Sequence, residues 1–225
     1  MITASENWRA SFPETSFGIM VIEGILNSGD NPGFEDRKAL LEEELRMRHR
    51  GKTRKQIGKE PPFEAYEKFY RTFGKGYPVL HQVETVALKG EPVLCPSPLV
   101  TAMFMAELKN GLLTAGHDLD KVSIPLSLDI SKGTEAYQSM GGKERNLLKG
   151  DMFLSDQRGI LSSVIYGPNN SSSMTAKTTR ALFTVYGVPS VSSMQLRAHL
   201  EEIDEFVRLF RSEEHTSELQ SRQSI

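Results

Sequence analysis

The spacing of apolar residues changes along this chain, and that change constrains the fold more than any single motif. Over residues 34–111 apolar side chains recur at helical steps. Over 122–186 they fall into short runs with strand spacing. Leu196, Leu200, Ile203, Val207 and Phe210 then return to helical steps. Residues 34–50 predict a helix that opens with Glu35 and Asp36 and closes with Arg46, Arg48 and Arg50, as the helix dipole favours. A second helix follows Pro61-Pro62 and carries Phe63, Tyr66, Tyr70 and Phe73 on one face. A third covers 77–89. A fourth is capped by Ser97-Pro98, stopped by Asn110-Gly111 and apolar nearly all round, so it belongs at the centre. Strands are expected over 17–25, 122–130, 152–155, 160–166 and 182–186, with a turn at 157–159. Helices first, strands next and one helix last predict an α+β domain with mixed β-sheet layers packed against helices, not a repeating βαβ fold. A single domain over 1–210 is expected, with its core in 63–210.

Residues 211–221 (Arg-Ser-Glu-Glu-His-Thr-Ser-Glu-Leu-Gln-Ser) resemble an in-frame translation of a common sequencing adapter, and residues 211–225 have no apolar period. They are expected to be an artefact standing outside the fold. Their charges (Arg211 and Arg222 against Glu213, Glu214 and Glu218) hardly alter a net charge of −2. Such a near-neutral balance argues against a generic polyanion binder. With 38% hydrophobic and 25% charged residues the chain is not of the disordered class. No apolar run approaches the ~18 residues of a membrane span. Residues 1–9 show no secretory pattern, and the single cysteine, Cys95, cannot form an internal disulfide. A cytoplasmic location is the expectation.

Few residues invite chemistry directly. Cys95 stands alone, and His49, His81, His117 and His199 lack paired spacing, so no metal is expected. No phosphate-binding glycine loop is present, and no cofactor is expected. The Cys95 thiol reads as inert. The cluster His117, Asp118, Asp120 and Lys121 reads as turn chemistry, with His117 as a base oriented by Asp118 the alternative. The aromatic face of the second helix reads as core, with a stacking platform for bases the alternative. Residues 47–59 hold Arg48, Arg50, Lys52, Arg54, Lys55 and Lys59 and no acid. That run can track a phosphate backbone, or it can be a solvated helix end with its loop.

Several segments recur in one known arrangement. They are Tyr70-Arg71-Thr72-Phe73-Gly74, Ser97-Pro98-Leu99-Val100, Gly116-His117-Asp118-Leu119-Asp120-Lys121, residues 162–168 and residues 175–183. In order and spacing they resemble the B3/B4 domain of the phenylalanyl-tRNA synthetase beta subunit, and more closely the stand-alone proteins made of little else. The resemblance implies an α+β domain that meets the aminoacylated 3′ end of a tRNA. In the synthetase that domain hydrolyses tyrosine mischarged onto the phenylalanine tRNA.

The editing pocket transfers only in outline. Met103 and Phe104 stand where the family has Thr and Asn. Ala115 stands for the editing His and Thr184 for the editing Glu, and Tyr186 lies where stand-alone relatives often carry a Glu. With Gly116 and Gly167 these complete the expected ligand pocket. Met103, Phe104 and Ala115 cannot offer side-chain hydrogen bonds to a substrate hydroxyl, so tyrosine editing is not expected. What the resemblance leaves is a protein that binds RNA, either tRNA or its aminoacylated 3′ end, with Arg48, Arg50, Lys52, Arg54, Lys55 and Lys59 on the backbone. One alternative is a deacylase acting in trans, in which His117, Asp118, Thr175 or Thr178 positions a water. The other is an interaction module without nucleic acid.

Overall fold

A computed structural model describes residues 2–211 apart from 28, 30 and 95, together with the backbone of 218–222. Cys95 therefore lies outside the described residues. The chain starts with β1 (Ile2–Ala4), α1 (Glu6–Ser11), β2 (Phe17–Ile22), α2 (Pro32–Arg48), α3 (Arg54–Ile57), α4 (Phe63–Arg71) and α5 (Pro78–Val83). A π-helical turn over Glu84–Leu88 leads to α6 (Pro98–Asn110), β3 (Thr114–Asp118) and a 3-10 turn over Leu119–Lys121. Then come β4 (Leu126–Ile130), β5 (Ala136–Gln138), β6 (Glu144–Asn146), β7 (Met152–Asp156), β8 (Gly159–Ser163), β9 (Gly167–Pro168) and β10 (Ala181–Tyr186). The chain closes with α7 (Ser193–Arg208) and β11 (Glu218–Arg222). The architecture is α+β.

Two sheets carry the strands, in the orders β1-β4-β7-β8-β9 and β11-β2-β10-β3, beside the small β5-β6 hairpin. Among the described residues, β1 and β4 are the one parallel pair of neighbouring strands. In the second sheet β10 is central, with Thr184 opposite Ala115 of β3 and Ile19 of β2. One buried cluster runs from Trp8 through Phe34 and Leu41 to Phe210, so residues before 63 belong to the same core.

The aromatic face of α4 is core, as its spacing implied. Tyr66 and Tyr70 are buried, and Tyr66 stacks on Tyr77 with centroids 4.7 Å apart and planes 6° from parallel. Their hydroxyls are the polar handles that aromatic burial requires. Tyr66 donates to the Tyr186 carbonyl at 2.7 Å and Tyr70 to the Val164 carbonyl at 2.5 Å. These bonds tie α4 to the ends of β10 and β8, one in each sheet. Because that face is fixed, the opposite face of α4, with Lys68 and Arg71, is held at the surface.

Several expectations need correction. The loop expected within residues 47–59 holds a further helix, because Thr53 and Gln56 form a capping box that starts α3. His117 and Asp118, read as turn chemistry, belong to a buried edge strand over 114–118. Pairing with β10 overrides its small and polar composition. Turn chemistry begins at Asp118, whose carboxylate accepts the Asp120 N–H at 3.3 Å. Nor does the tail stand wholly apart. Residues 218–222 pair antiparallel along β2, and Arg211 lies 3.6 Å from the Asp204 carboxylate. Ladder bonds ask nothing of side-chain identity, so the outer edge of β2 accepts a segment without apolar periodicity.

Candidate nucleic-acid interface

An open groove of about 1590 Å³ runs between α3, α4 and the loops at 72–76, 149–150 and 189–190. Three of its cations come from α3 and the residues after it: Arg54, Lys55 and Lys59. Lys68 and Arg71 come from the outer face of α4. Lys75 follows that helix, and Lys149 reaches in from the loop before β7. All seven are exposed. Against them stand two carboxylates, Glu64 and Glu67. Glu67 is already engaged, accepting from the Tyr77 N–H at 3.1 Å and from Arg71 at 2.9 Å. Phe12, Phe69 and Phe73 supply apolar wall, with Phe69 and Phe73 tilted at a centroid distance of 5.2 Å.

The pairing of the cations decides what the groove can hold. Arg54 lies 3.5 Å from Glu84, and Arg71 is bound to Glu67. Lys55, Lys59, Lys68 and Lys149 make no ion pair among the described residues. With Lys75, which likewise makes no ion pair among the described residues, these place five ammonium groups around one concavity and give a local positive potential although the chain as a whole is near neutral. A row of anions spaced along a flexible backbone is what such a surface fits.

The structure divides the basic run of the sequence. Arg54, Lys55 and Lys59 reach the groove. Lys52 is paired with Glu60 at 2.7 Å. Arg48 donates to the Lys109 carbonyl at 2.8 Å and so ties α2 to the end of α6. Arg50 lies by a separate depression beside Glu42, Glu43 and Arg46. The residues that sequence reasoning missed are Lys68, Arg71, Lys75 and Lys149. For the first two a signal existed, since they stand opposite the aromatic stripe of a predicted helix. Lys149 comes in from distant sequence and left none.

Part of the pocket implied by the family resemblance comes together, with Met103, Ala115, Thr184 and Tyr186 buried. Thr184 and Ala115 are direct cross-strand partners, and the Thr184 hydroxyl donates to the Ala115 carbonyl at 3.4 Å. His117 and Tyr186 share that face of the sheet, two residues along their strands. Met103 approaches the other face. A Cβ on Gly116 would sit 3.2 Å from the Met103 sulfur and 2.4 Å from the Met174 methyl, so both methionine side chains pack close over the strand there. Phe104 is partly buried against the core, and Gly167 belongs to the other sheet, where its carbonyl accepts from the Tyr137 hydroxyl at 2.6 Å.

A closed chain of hydrogen bonds runs through His117. The Ser172 hydroxyl donates to Asn169 Oδ1 at 2.5 Å, so it accepts from His117 Nδ1 at 2.7 Å. That leaves His117 Nε2 to accept from the Ser162 hydroxyl at 3.3 Å. Ser162 Oγ lies 2.8 Å from the Tyr186 hydroxyl, which can then donate to it. Burial disfavours the imidazolium and lowers the His117 pKa to about 4, so the ring is neutral at pH 7. A neutral His accepting from a Ser hydroxyl is the pairing of an activated nucleophile. Here His117 and Ser162 are both 0% exposed, and no substrate atom reaches them.

Asp118 and the two threonines form a loop clamp. Asp118 accepts from Thr178 Oγ1 at 2.9 Å and pairs with Lys121 at 3.2 Å, and Lys121 also donates to the Ser173 carbonyl. The Thr175 N–H donates to Thr178 Oγ1, while its carbonyl accepts from the Asn27 amide. Among the described residues there is no group of three or more His, Cys, Asp or Glu placed to hold a metal ion. Nor is any helix among them long and apolar enough to cross a membrane.

No family model matches the chain, and no curated protein matches it. Among solved structures it is similar to an N-terminal fragment of the phenylalanyl-tRNA synthetase beta-subunit from Pyrococcus horikoshii. The two are 11% identical with a TM-score of 0.49, over 93% of this chain and 48% of that one. The chain thus spans about half the length of that fragment.

Proposed function

We propose that this protein binds RNA through the groove between α3 and α4. The observation that carries the reading is the convergence of Lys55, Lys59, Lys68 and Lys149, none of them in an ion pair among the described residues, on one open concavity with phenylalanine walls. Phosphate contacts of this kind set affinity and position without reading sequence. The motif resemblance makes tRNA the RNA to try first. A deacylase would need a base open to substrate, whereas His117 is sealed and Asp118 is spent on Thr178 and Lys121. An interaction module without nucleic acid leaves the unpaired lysines without a counter-charge.

The test is the salt dependence of tRNA binding by the full chain. Each phosphate contact releases counterions and contributes roughly 0.7–0.9 to the slope of log K against log salt. Replacing Lys55, Lys59, Lys68 and Lys149 together by Ser is expected to flatten that slope by about 3 and to weaken binding at least about tenfold. All four are exposed, so the fold should be kept. A variant with the parent's slope would overturn the reading.

A further inference from the structure

We propose that Tyr166 is a stacking position for an unpaired base at one end of the groove, so that the protein prefers single-stranded RNA to duplex; the proposal rests on the groove reading above. Tyr166 lies between β8 and β9, half-buried, with its N–H held by the Ser163 hydroxyl at 3.0 Å. Its ring packs on the small cluster of Tyr137, Leu147 and Phe153, which fixes one side of it. Two exposed cations attend the ring: Lys75 Nζ is 5.9 Å and the Arg145 guanidinium 5.4 Å from its centroid. Lys75 also lines the groove, so the ring continues the cationic track onto the β5-β6 hairpin. Neither cation makes an ion pair among the described residues.

Relative strength decides whether the cations guard the ring or yield it. An exposed cation over a phenol ring shifts an equilibrium by only about two- to fivefold, whereas a base stacked on an aromatic side chain shifts it by about fivefold to a hundredfold. A base therefore displaces a cation from the ring, and the freed cation meets the phosphate of the same nucleotide. Duplex RNA keeps its base faces inside the stack and gains only the phosphate contacts.

The experiment compares a short oligoadenylate with a blunt RNA duplex of similar charge, using the parent chain, Tyr166→Leu, Tyr166→Phe and the four-lysine variant. Tyr166→Leu is expected to weaken oligoadenylate binding about tenfold and to leave the duplex unchanged, with Tyr166→Phe close to the parent. If Tyr166→Leu binds oligoadenylate like the parent, or weakens both ligands equally, the stacking assignment falls. The groove reading still stands in that case if the four-lysine variant weakens both. If the four-lysine variant weakens neither, the groove reading falls whatever Tyr166 does. Photocrosslinking the unsubstituted chain to thiouridine-bearing RNA asks the same question with no risk to folding. An adduct on Tyr166 supports the assignment, and adducts confined to other residues overturn it.

Discussion

The groove beside α4 and the network around His117 are both rich in polar side chains, and they are built in opposite ways. Around His117 the polar atoms of Asn169, Ser172, Ser162 and Tyr186 are spent on one another inside a sealed layer. In the groove Lys55, Lys59, Lys68 and Lys149 face solvent with their charges uncommitted. Burial makes the first arrangement costly to disturb, because a buried donor or acceptor that loses its partner has no water to turn to. Exposure makes the second cheap to alter and open to a ligand. Polar residue types alone do not mark a site. What separates the two regions is whether the polar groups already have partners.

The sharpest way to break this contrast is His117→Ala. It leaves a cavity and takes one hydrogen-bond partner each from the Ser162 and Ser172 hydroxyls, and it should cost about 2–4 kcal/mol in chemical denaturation. RNA affinity of the folded fraction should stay at the parent's value. A loss of affinity with stability intact would put His117 in a binding or catalytic role and erase the contrast.

A smaller effect follows from Asp151, just beyond Gly150 in the groove wall. Burial raises its carboxyl from 3.8 to about 7, and its Oδ2 has no hydrogen-bond partner among the described residues. The folded state keeps a proton that the unfolded chain has released above about pH 4. Stability from this group is therefore full below that value and lost as pH rises toward 7. His117 has the opposite sign. Its folded value of about 4 lies below 6.5, so its contribution is present above pH 6.5 and lost as pH falls toward 4. Asp151→Asn removes only the first dependence. The variant's melting temperature, measured against the parent's, should rise from pH 5 to pH 7.5 by a few degrees. A difference that is constant over that range would show that Asp151 is ionised in the fold.

The smallest effect expected is that of Arg48→Ser with Arg50→Ser. These belong to the basic run but not to the groove, so tRNA affinity should change by less than about twofold at moderate salt. A drop as large as that of the four-lysine variant would mean that sequence proximity, not the groove, defines the RNA surface.

Much of the scaffold was legible in the sequence. The helical spacing of α4 and α7 reports burial on one face, while the apolar character of α6 all round and of β10 on both faces reports a central position, and both are local properties. The strand at 114–118 was not legible, since Thr114 is the one β-branched residue in Thr-Ala-Gly-His-Asp and the segment owes its conformation to β10. The edge strand at 218–222 was missed for the same reason: pairing is a property of the neighbour. For the candidate site, half of the basic run (Arg54, Lys55 and Lys59) lines the groove. Its other half is tied to Glu60, to the Lys109 carbonyl or to a separate depression, and distance in space decided which. Ala115, Thr184 and Tyr186, grouped by the resemblance, share one face of the sheet with His117, but no sequence pattern could say that these side chains are buried.

The central claim is that the groove lysines, and not basic residues in general, meet RNA. Lysine acetylation of the parent chain, read by mass spectrometry with and without tRNA, tests it without any substitution. The account predicts protection of Lys55, Lys59, Lys68 and Lys149, while Lys132 and Lys177, equally exposed but outside the groove, react at unchanged rates. Uniform protection of all six, or protection of Lys132 and Lys177 alone, would contradict it.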